Sequence, residues 1–439
     1  MIFKRKLYDK LLVWKQQTAG TKALLIEGAR RIGKSTLVEE FAKNEYRSYL
    51  MIDFNKVSDS VISAFNNYMN DLDTFFLILS SEYGVRLYPK ESIIIFDEIQ
   101  QFPKARQAIK YLVADGRFDY IETGSLISIK ENVNDITIPS EERTLLMYPM
   151  DFEEFAWAMN EEPLMAYIRQ CFDKKVPLEQ GIHAKAMLLF RQYMIVGGMP
   201  KSLSAYLENN RSFEMADMEK RDILTLYRND IKKIKSGYRS SVLSIFDQIP
   251  AFLSRSERRV VMNRIEKGAS FPKYHDTFFW LSDSMIANEC FNCSDPNVGL
   301  SLNEDRTYVK CYMGDTGLLI SHTFDENEIS DGELYREILL GKLSVNEGMF
   351  YENVIAQMLV AAGHKLYFYT RYNQEKHRND MEIDFILSNH SKLRYKIFPI
   401  EVKSNDKYSI RSLTRFNESF RQRIGGSYVI HPKNLMLQR

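Results

Sequence analysis

The sequence predicts an α/β protein: a parallel sheet covered by helices within residues 1–205, then two smaller domains at 206–330 and 331–439. Three observations predict it. Apolar runs alternate with amphipathic helical patterns up to about residue 200, as strands joined by crossover helices do. The first apolar run, Ala23-Leu24-Leu25-Ile26-Glu27, leads directly into a glycine-bearing loop and then a helical pattern from Thr36 to Lys43. A later run, Ser92-Ile93-Ile94-Ile95-Phe96, is apolar throughout, as a strand buried on both faces is, and ends in Asp97-Glu98.

The loop after the first strand is Gly28-Ala29-Arg30-Arg31-Ile32-Gly33-Lys34-Ser35, the pattern G-x-x-x-x-G-K-S. Its strand–loop–helix setting is that of a phosphate-binding loop. Glycines let the backbone curl so that N–H groups, from Gly28 through Thr36, point at phosphates. Lys34 is expected on the β- and γ-phosphates of a nucleoside triphosphate, and the Ser35 hydroxyl on Mg²⁺. Tyr46 to Phe54 reads as the next strand. The Ser92–Phe96 strand then brings Asp97-Glu98 to the carboxyl end of the sheet, where open α/β sheets bind ligands. Asp97 is the expected second Mg²⁺ residue and Glu98 the base for an attacking water. Ala105 to Ala114 is the crossover helix, and Phe118 to Glu122 a further strand. That strand ends in Thr123-Gly124-Ser125, whose Thr123 and Ser125 are candidates to contact the γ-phosphate or the water. Thr144 to Pro149 is the last strand expected, and Asp151 to Glu161 a helix. ATP and Mg²⁺ are therefore the expected cofactors.

Val196-Gly197-Gly198-Met199-Pro200 breaks the alternation as a turn, and Ser212 to Ile234 follows as a long charged helix. Gln248–Leu253, Glu257–Glu266 and Lys273–Ser284 read as three helices, and Met285–Cys293 and Thr307–Tyr312 as strands. That order matches a winged helix-turn-helix, with Lys273, Tyr274 and His275 opening its third helix. In the last third, a helix from Asn346 to Ala362 precedes strands at Lys365–Tyr369, Met381–Leu387 and Lys396–Val402. A helix at Ser409–Arg423 and a strand at Ser427–Ile430 complete it. Asp384 falls on the second of these strands; Glu401 and Lys403 share one face of the third. The spacing Asp-(x16)-Glu-x-Lys resembles the PD-(D/E)XK nuclease core, with Glu352 on the preceding helix as a third carboxylate. The last third is thus expected to be an α+β, restriction-endonuclease-like domain.

Charge separates the parts. Residues 335–439 carry 17 Lys and Arg against 10 Asp and Glu, a balance of +7, whereas the whole chain is +1. A basic last third suits nucleic-acid contact, so DNA is the first expected partner and another protein the second. The four cysteines form no disulfide framework, and Cys290 and Cys293 lack a second pair for zinc. No run approaches the ~20 apolar residues of a membrane span, and the charged N-terminus has no apolar leader core, so no membrane and a cytoplasmic location are expected.

Taken together, the chain resembles prokaryotic AAA-type P-loop ATPases that carry a C-terminal domain of unknown function. The resemblance rests on the loop from Gly28 to Ser35, Ile95-Phe96-Asp97-Glu98-Ile99-Gln100, Thr123-Gly124-Ser125 and Tyr148-Pro149-Met150-Asp151-Phe152-Glu153-Glu154-Phe155. It continues through Gly197-Gly198-Met199-Pro200, Asp222-Ile223, Asp230-Ile231 and Gly314-Asp315-Thr316-Gly317-Leu318-Leu319, and ends in Glu352-Asn353, Ile383-Asp384 and Glu401-Val402-Lys403. It implies an AAA-type parallel sheet, a winged-helix domain and a nuclease-like domain. It also implies an arginine at Arg143 acting in trans within a homo-oligomer, although the glycine expected before it is Glu142 here.

Overall fold

The computed structural model of the chain describes residues 1–125, 140–234, 239–255, 258–260, 271–325, 332–342, 347–373, 378–389, 396–405 and 407–437. They divide into two units: residues 1–148 with 283–285, and residues 149–282 with 286–439.

In the first unit five strands pair in parallel: β1 Ala23–Gly28, β2 Ser48–Asp53, β3 Ser92–Asp97, β4 Asp119–Gly124 and β5 Glu142–Met147. Their order is β2-β3-β4-β1-β5. Its helices are α1 Lys6–Gln17, α2 Lys34–Glu45, α3 Asp59–Asn67, α4 Leu72–Tyr83 and α5 Pro103–Asp115. β1 and β3 lie inside the sheet, flanked by strands on both edges, and all of β3 is buried. Side chains alternate along each strand. Leu25, Ile94 and Phe96 therefore join one cluster with Phe54, Phe65, Phe75 and Tyr120. Leu24, Ile26, Ile93 and Ile95 take the other face, and α2 packs on β1, β2, β3 and β4. Every strand expected from sequence forms, with ends shifted by a few residues. Two helices, α3 and α4, lie between β2 and β3 where the sequence reading has none. Ser58 and Asp71 start them, each accepting a backbone N–H three residues on.

The departure at Glu142 has a structural reason. Arg106 of α5 donates Nε and one Nη to its two carboxylate oxygens at 3.0 and 2.8 Å, with both side chains almost fully buried. A bidentate pair of this kind holds α5 to the start of β5. Burial, with the Glu142 carboxylate beside it, pushes the Glu122 carboxyl of β4 well above the usual range.

The second unit opens with helices α6 Phe152–Ala158, α7 Glu162–Lys174, α8 Gln180–Val196, α9 Pro200–Glu208, α10 Phe213–Lys232 and α11 Arg239–Leu253. α12 Phe271–Asp283 leads to strands β6 Ala287–Cys293 and β7 Glu304–Met313. Next come α13 Thr316–Thr323, α14 Glu333–Leu340, α15 Glu347–Ala361, β8 Leu366–Asn373, β9 Arg378–Ile383, β10 Phe385–Asn389, β11 Lys396–Val402, α16 Arg411–Ser419 and β12 Tyr428–Ile430. One sheet has the order β7-β6-β8-β9, the other β10-β11-β12. Asp384 is the bend between β9 and β10. Both expected domain divisions, near residues 205 and 330, fall inside this unit, and β6 pairs in parallel with β8 across the second of them. The helix read at Gln248–Leu253 is the end of α11, which continues through Pro250. Most of the helix read at Glu257–Glu266 lies outside the described residues, as do the side chains of Lys273 and His275.

The turn motif at Gly197-Gly198 joins the core of this unit. Asp315, at the start of α13, accepts the Gly198 N–H at 2.5 Å, the Leu318 N–H at 2.9 Å and the Gln357 amide at 3.1 Å. A Cβ on Gly198 would collide with the Met150 backbone, which approaches that closely. Lys220, fully buried on α10, donates to the Ile195 carbonyl at 2.6 Å and pairs with Asp217 at 3.6 Å. Gln357 in turn accepts the Thr316 N–H at 2.9 Å, tying α15 to α13. Among the described residues no helix is long and apolar enough to cross a membrane.

Candidate functional site: a phosphate loop and a second carboxylate cluster

The loop between β1 and α2 is shaped by its backbone. Arg31 and Gly33 both take left-handed φ, 67° and 91°. This curls the chain tightly before α2 starts at Lys34. A Cβ on Gly28 would meet the Met147 carbonyl and the Ile32 side chain, so only glycine lets β1 lie this close to β5. The free N–H groups and positive dipole end of α2 open onto the loop. Arg5 holds it from below: one Nη donates to the Ile32 carbonyl at 2.9 Å, the other to the Tyr148 carbonyl at 2.6 Å. Ala29 and Ile32 are buried, Arg30 half-buried, and Arg31 and Thr36 exposed.

Five of the sequence-predicted groups converge here. Lys34 is buried, and its Nζ donates to the Gly28 and Ala29 carbonyls at 3.0 and 2.9 Å. Ser35 Oγ donates to Asp97 Oδ1 at 2.8 Å. Thr123 Oγ1 donates to the same Asp97 oxygen, joining the ends of β3 and β4. The Glu98 N–H points at Thr123 Oγ1 at 3.4 Å. Glu98 itself has left-handed φ, 54°, a conformation uncommon without glycine, and the Gln100 side-chain amide donates to its carboxylate. Gln100 thus fixes Glu98, a positioning contact that sequence reading did not assign. Ser125 is buried at the end of β4, beside residues outside the described set.

Burial pushes the Lys34 ammonium down to about 8; the Glu98 and Asp97 carboxylates oppose this and Arg30 reinforces it. A triphosphate on Lys34 would favour the charged form, so binding takes up a proton once the pH exceeds that value. ATP affinity is therefore expected to weaken as pH rises from about 8 to 9.5, by up to about tenfold per pH unit. Titration with a fluorescent ATP analogue across that range measures it. The guanidinium of a Lys34→Arg protein does not titrate there, and its curve should be flat.

Arg143 is not brought to this cluster. It pairs with Leu24, whereas Met147 pairs with Gly28 where the loop begins. Four rungs separate them, about 13 Å along the strand. Arg143 lies exposed on β5, an edge strand.

The second unit does bring Glu352, Asp384, Glu401 and Lys403 together. β10 and β11 pair antiparallel, Phe385 opposite Ile400, so Asp384 faces the Glu401–Val402 stretch, and its Oδ2 accepts the Val402 N–H at 2.8 Å. Lys403 Nζ lies 3.0 Å from Glu401 Oε2. Burial raises the Glu401 carboxyl above its usual range, with Lys403 opposing and Asp384 adding to the rise. Glu352, fully buried on α15, accepts from the Tyr312 hydroxyl and meets the Arg258 guanidinium. The central group is one that sequence reading missed. Lys310 of β7 places Nζ 3.2 Å from Glu352, 3.3 Å from Glu382 and 3.8 Å from Asp384. Its signal was a lone lysine inside an apolar strand, Val309-Lys310-Cys311-Tyr312-Met313.

Cys290 and Cys293 stand three apart on β6 and so face opposite sides of its sheet; both are buried, and burial pushes the Cys293 thiol up to about 11. Among the described residues no group of three or more His, Cys, Asp or Glu side chains is placed to hold a metal ion.

Residues 20–156 match the AAA domain family. Residues 187–328 match a domain of unknown function, DUF8612, and residues 347–439 another, DUF4143. No curated protein matches the chain. Solved structures similar to it include the Saccharomyces cerevisiae Hsp104–ADP complex at 11% identity and a TM-score of 0.30, covering 83% of this chain. The chain spans only 44% of the Hsp104 chain. The Thermotoga maritima RuvB Holliday junction branch migration motor matches at 12% identity, covering 65% of this chain and 89% of its own, with a TM-score of 0.27. AMPPCP-bound DnaA from Aquifex aeolicus matches at 12% identity over 64% and 87%, with a TM-score of 0.25. The first unit is thus an AAA-type P-loop domain, with an α/β parallel sheet and a nucleotide-binding loop.

Proposed function

We propose that this AAA-domain protein is a Mg²⁺-dependent ATPase whose nucleotide state governs how its C-terminal parts hold DNA. The observation that carries the reading is the convergence of Lys34, Ser35, Asp97, Thr123 and Glu98 at the carboxyl end of one parallel sheet. The Ser35 hydroxyl and the Asp97 carboxylate, in contact at 2.8 Å, are a hard oxygen pair suited to Mg²⁺, which would neutralise phosphate charge between them. The loop N–H groups and Lys34 bind the β- and γ-phosphates and stabilise the charge that gathers there during transfer. Glu98, held by Gln100, accepts the proton of the attacking water. Thr123 keeps Asp97 and the Glu98 backbone in register, and Ser125, two residues on, contacts the γ-phosphate or the water. Arg143 serves in trans: its exposed place on an edge strand suits the nucleotide of a neighbouring copy in a homo-oligomer.

Support for DNA comes from the +7 balance of residues 335–439, and from the sequence β6–β7 after α12, as a winged helix has. Under this reading, residues 206–330 form the winged-helix domain and residues 331–439 the nuclease-like domain. One observation favours a second reading, an ATP-operated switch that docks a protein: α12 exposes Asp276 and Phe279 among its described side chains, not a basic face. The test is the ATPase rate with Mg²⁺, alone and with duplex or single-stranded DNA, while the DNA is followed on a gel. Stimulation that falls steeply with added salt, with DNA intact, is expected. A rate indifferent to every DNA at low salt would sink the DNA reading and leave the protein switch.

A further inference from the structure

The nuclease-like core implies a divalent cation held by Glu352, Asp384 and Glu401, and the residues present do not fit one. At the centre of the cluster stands an ammonium. Lys310 Nζ is within 4 Å of Glu352, Glu382 and Asp384, and the side chain is 1% exposed. Phe368 lies under it, 5.1 Å from Nζ to the ring centre. Most of the remaining carboxylate oxygens also face a partner, Glu401 Oε1 being buried without one. Arg258 meets Glu352, Lys403 meets Glu401, and the Val402 N–H meets Asp384.

We infer that Lys310 is the resident cation of this site, standing where a nuclease of this build needs a metal, and that the last third holds its partner without cutting phosphodiester bonds. The physical reason is exclusion. A divalent ion entering among these carboxylates would sit beside Lys310 and Arg258, and like charges at such distances repel strongly in a buried site. To make room, the lysine would have to leave a site where its stem is packed and its charge is matched. Its neighbours on β7, Val309 and Cys311, are buried as well. The lysine comes from the segment before residue 330 and its partners from the segment after, so the same contact also pins the β6–β7 pair to the last third.

The inference concerns this cluster alone and does not depend on the ATPase reading, so it is tested on the full chain without nucleotide. The probe is Mn²⁺, counted by its electron paramagnetic resonance signal. The expected result is equal Mn²⁺ uptake by wild type and Asp384→Asn. One Mn²⁺ fewer per chain in Asp384→Asn would overturn the inference. The Lys310→Met protein keeps the stem and removes the charge, and is expected to take up one Mn²⁺ more than wild type. A folded Lys310→Met protein that takes up no more would overturn the claim that the ammonium holds a cation's place. Should that variant fail to fold, the comparison of wild type with Asp384→Asn still decides.

Discussion

A Glu98→Gln protein should bind ATP as tightly as wild type and hydrolyse it about 10²- to 10⁴-fold more slowly. The substitution keeps size and shape and removes only the basic oxygen. Its amide can still accept from Gln100 through Oε1, so the left-handed backbone at this position is left undisturbed. Lys34, Ser35 and Asp97 are untouched, and they carry phosphate and Mg²⁺. Affinity and turnover therefore separate. Single-turnover hydrolysis and equilibrium ATP binding, measured on the same preparation, check both halves. Normal turnover would mean that the water is activated elsewhere, with Asp97 the nearest alternative. Parallel loss of binding and turnover would mean that Glu98 shapes the loop rather than serving as base.

The largest effect on stability is expected at Asp315, in the second unit. Asp315→Ala would strand the N–H groups of Gly198 and Leu318 and the amide of Gln357 in a buried setting. It would also remove a negative charge that supports the fully buried Lys220. Each orphaned donor costs about 1–3 kcal/mol, while the Lys220–Asp217 pair stays in place. A loss of about 4 kcal/mol or more follows, which lowers the unfolding temperature by about 10 °C in a unit of this size. Asp315→Asn should fall between, because its one oxygen satisfies part of the set while its NH₂ faces another donor. Differential scanning calorimetry of the full chain reads the effect. A shift under about 2 °C for Asp315→Ala would show that water or a repacked side chain takes over the acceptor role.

The first site was legible because its chemistry is written in contiguous text. The loop from Gly28 to Ser35 and the pair Asp97-Glu98 each lie within one strand and the turn after it, and parallel pairing then brings the strand ends together. The order β2-β3-β4-β1-β5 was not legible, since it depends on which long crossover goes where and on no local pattern. Arg5 was given no role from sequence; the fold shows its guanidinium bonded to the Ile32 and Tyr148 carbonyls. Gly197-Gly198 read as a turn, but its two glycines answer to distant residues, Gly197 to Asp315 and Gly317 and Gly198 to the Met150 backbone. Asp384, expected within one strand from Met381 to Leu387, is instead the bend between β9 and β10, and Lys403 lies just past the end of β11, yet both stand beside Glu401 and Val402. Their neighbour Lys310 was missed because its partners come from other elements, and a charged residue in a strand ordinarily turns to solvent. The expected arginine contact at Arg143 rested on resemblance alone, and the register places that residue away from the loop in its own chain.

The pairing of β6 with β8 bears on how such a chain can be inherited. The two segments that match domains of unknown function, 187–328 and 347–439, contribute neighbouring strands to one sheet. Either segment acquired alone would present an open edge of unpaired N–H and C=O groups, a template for unwanted association. Recombination between them is therefore penalised at the level of folding, before any function is selected. The pair should pass between genomes as a single block, and a gene carrying one without the other would need a different strand to close the gap.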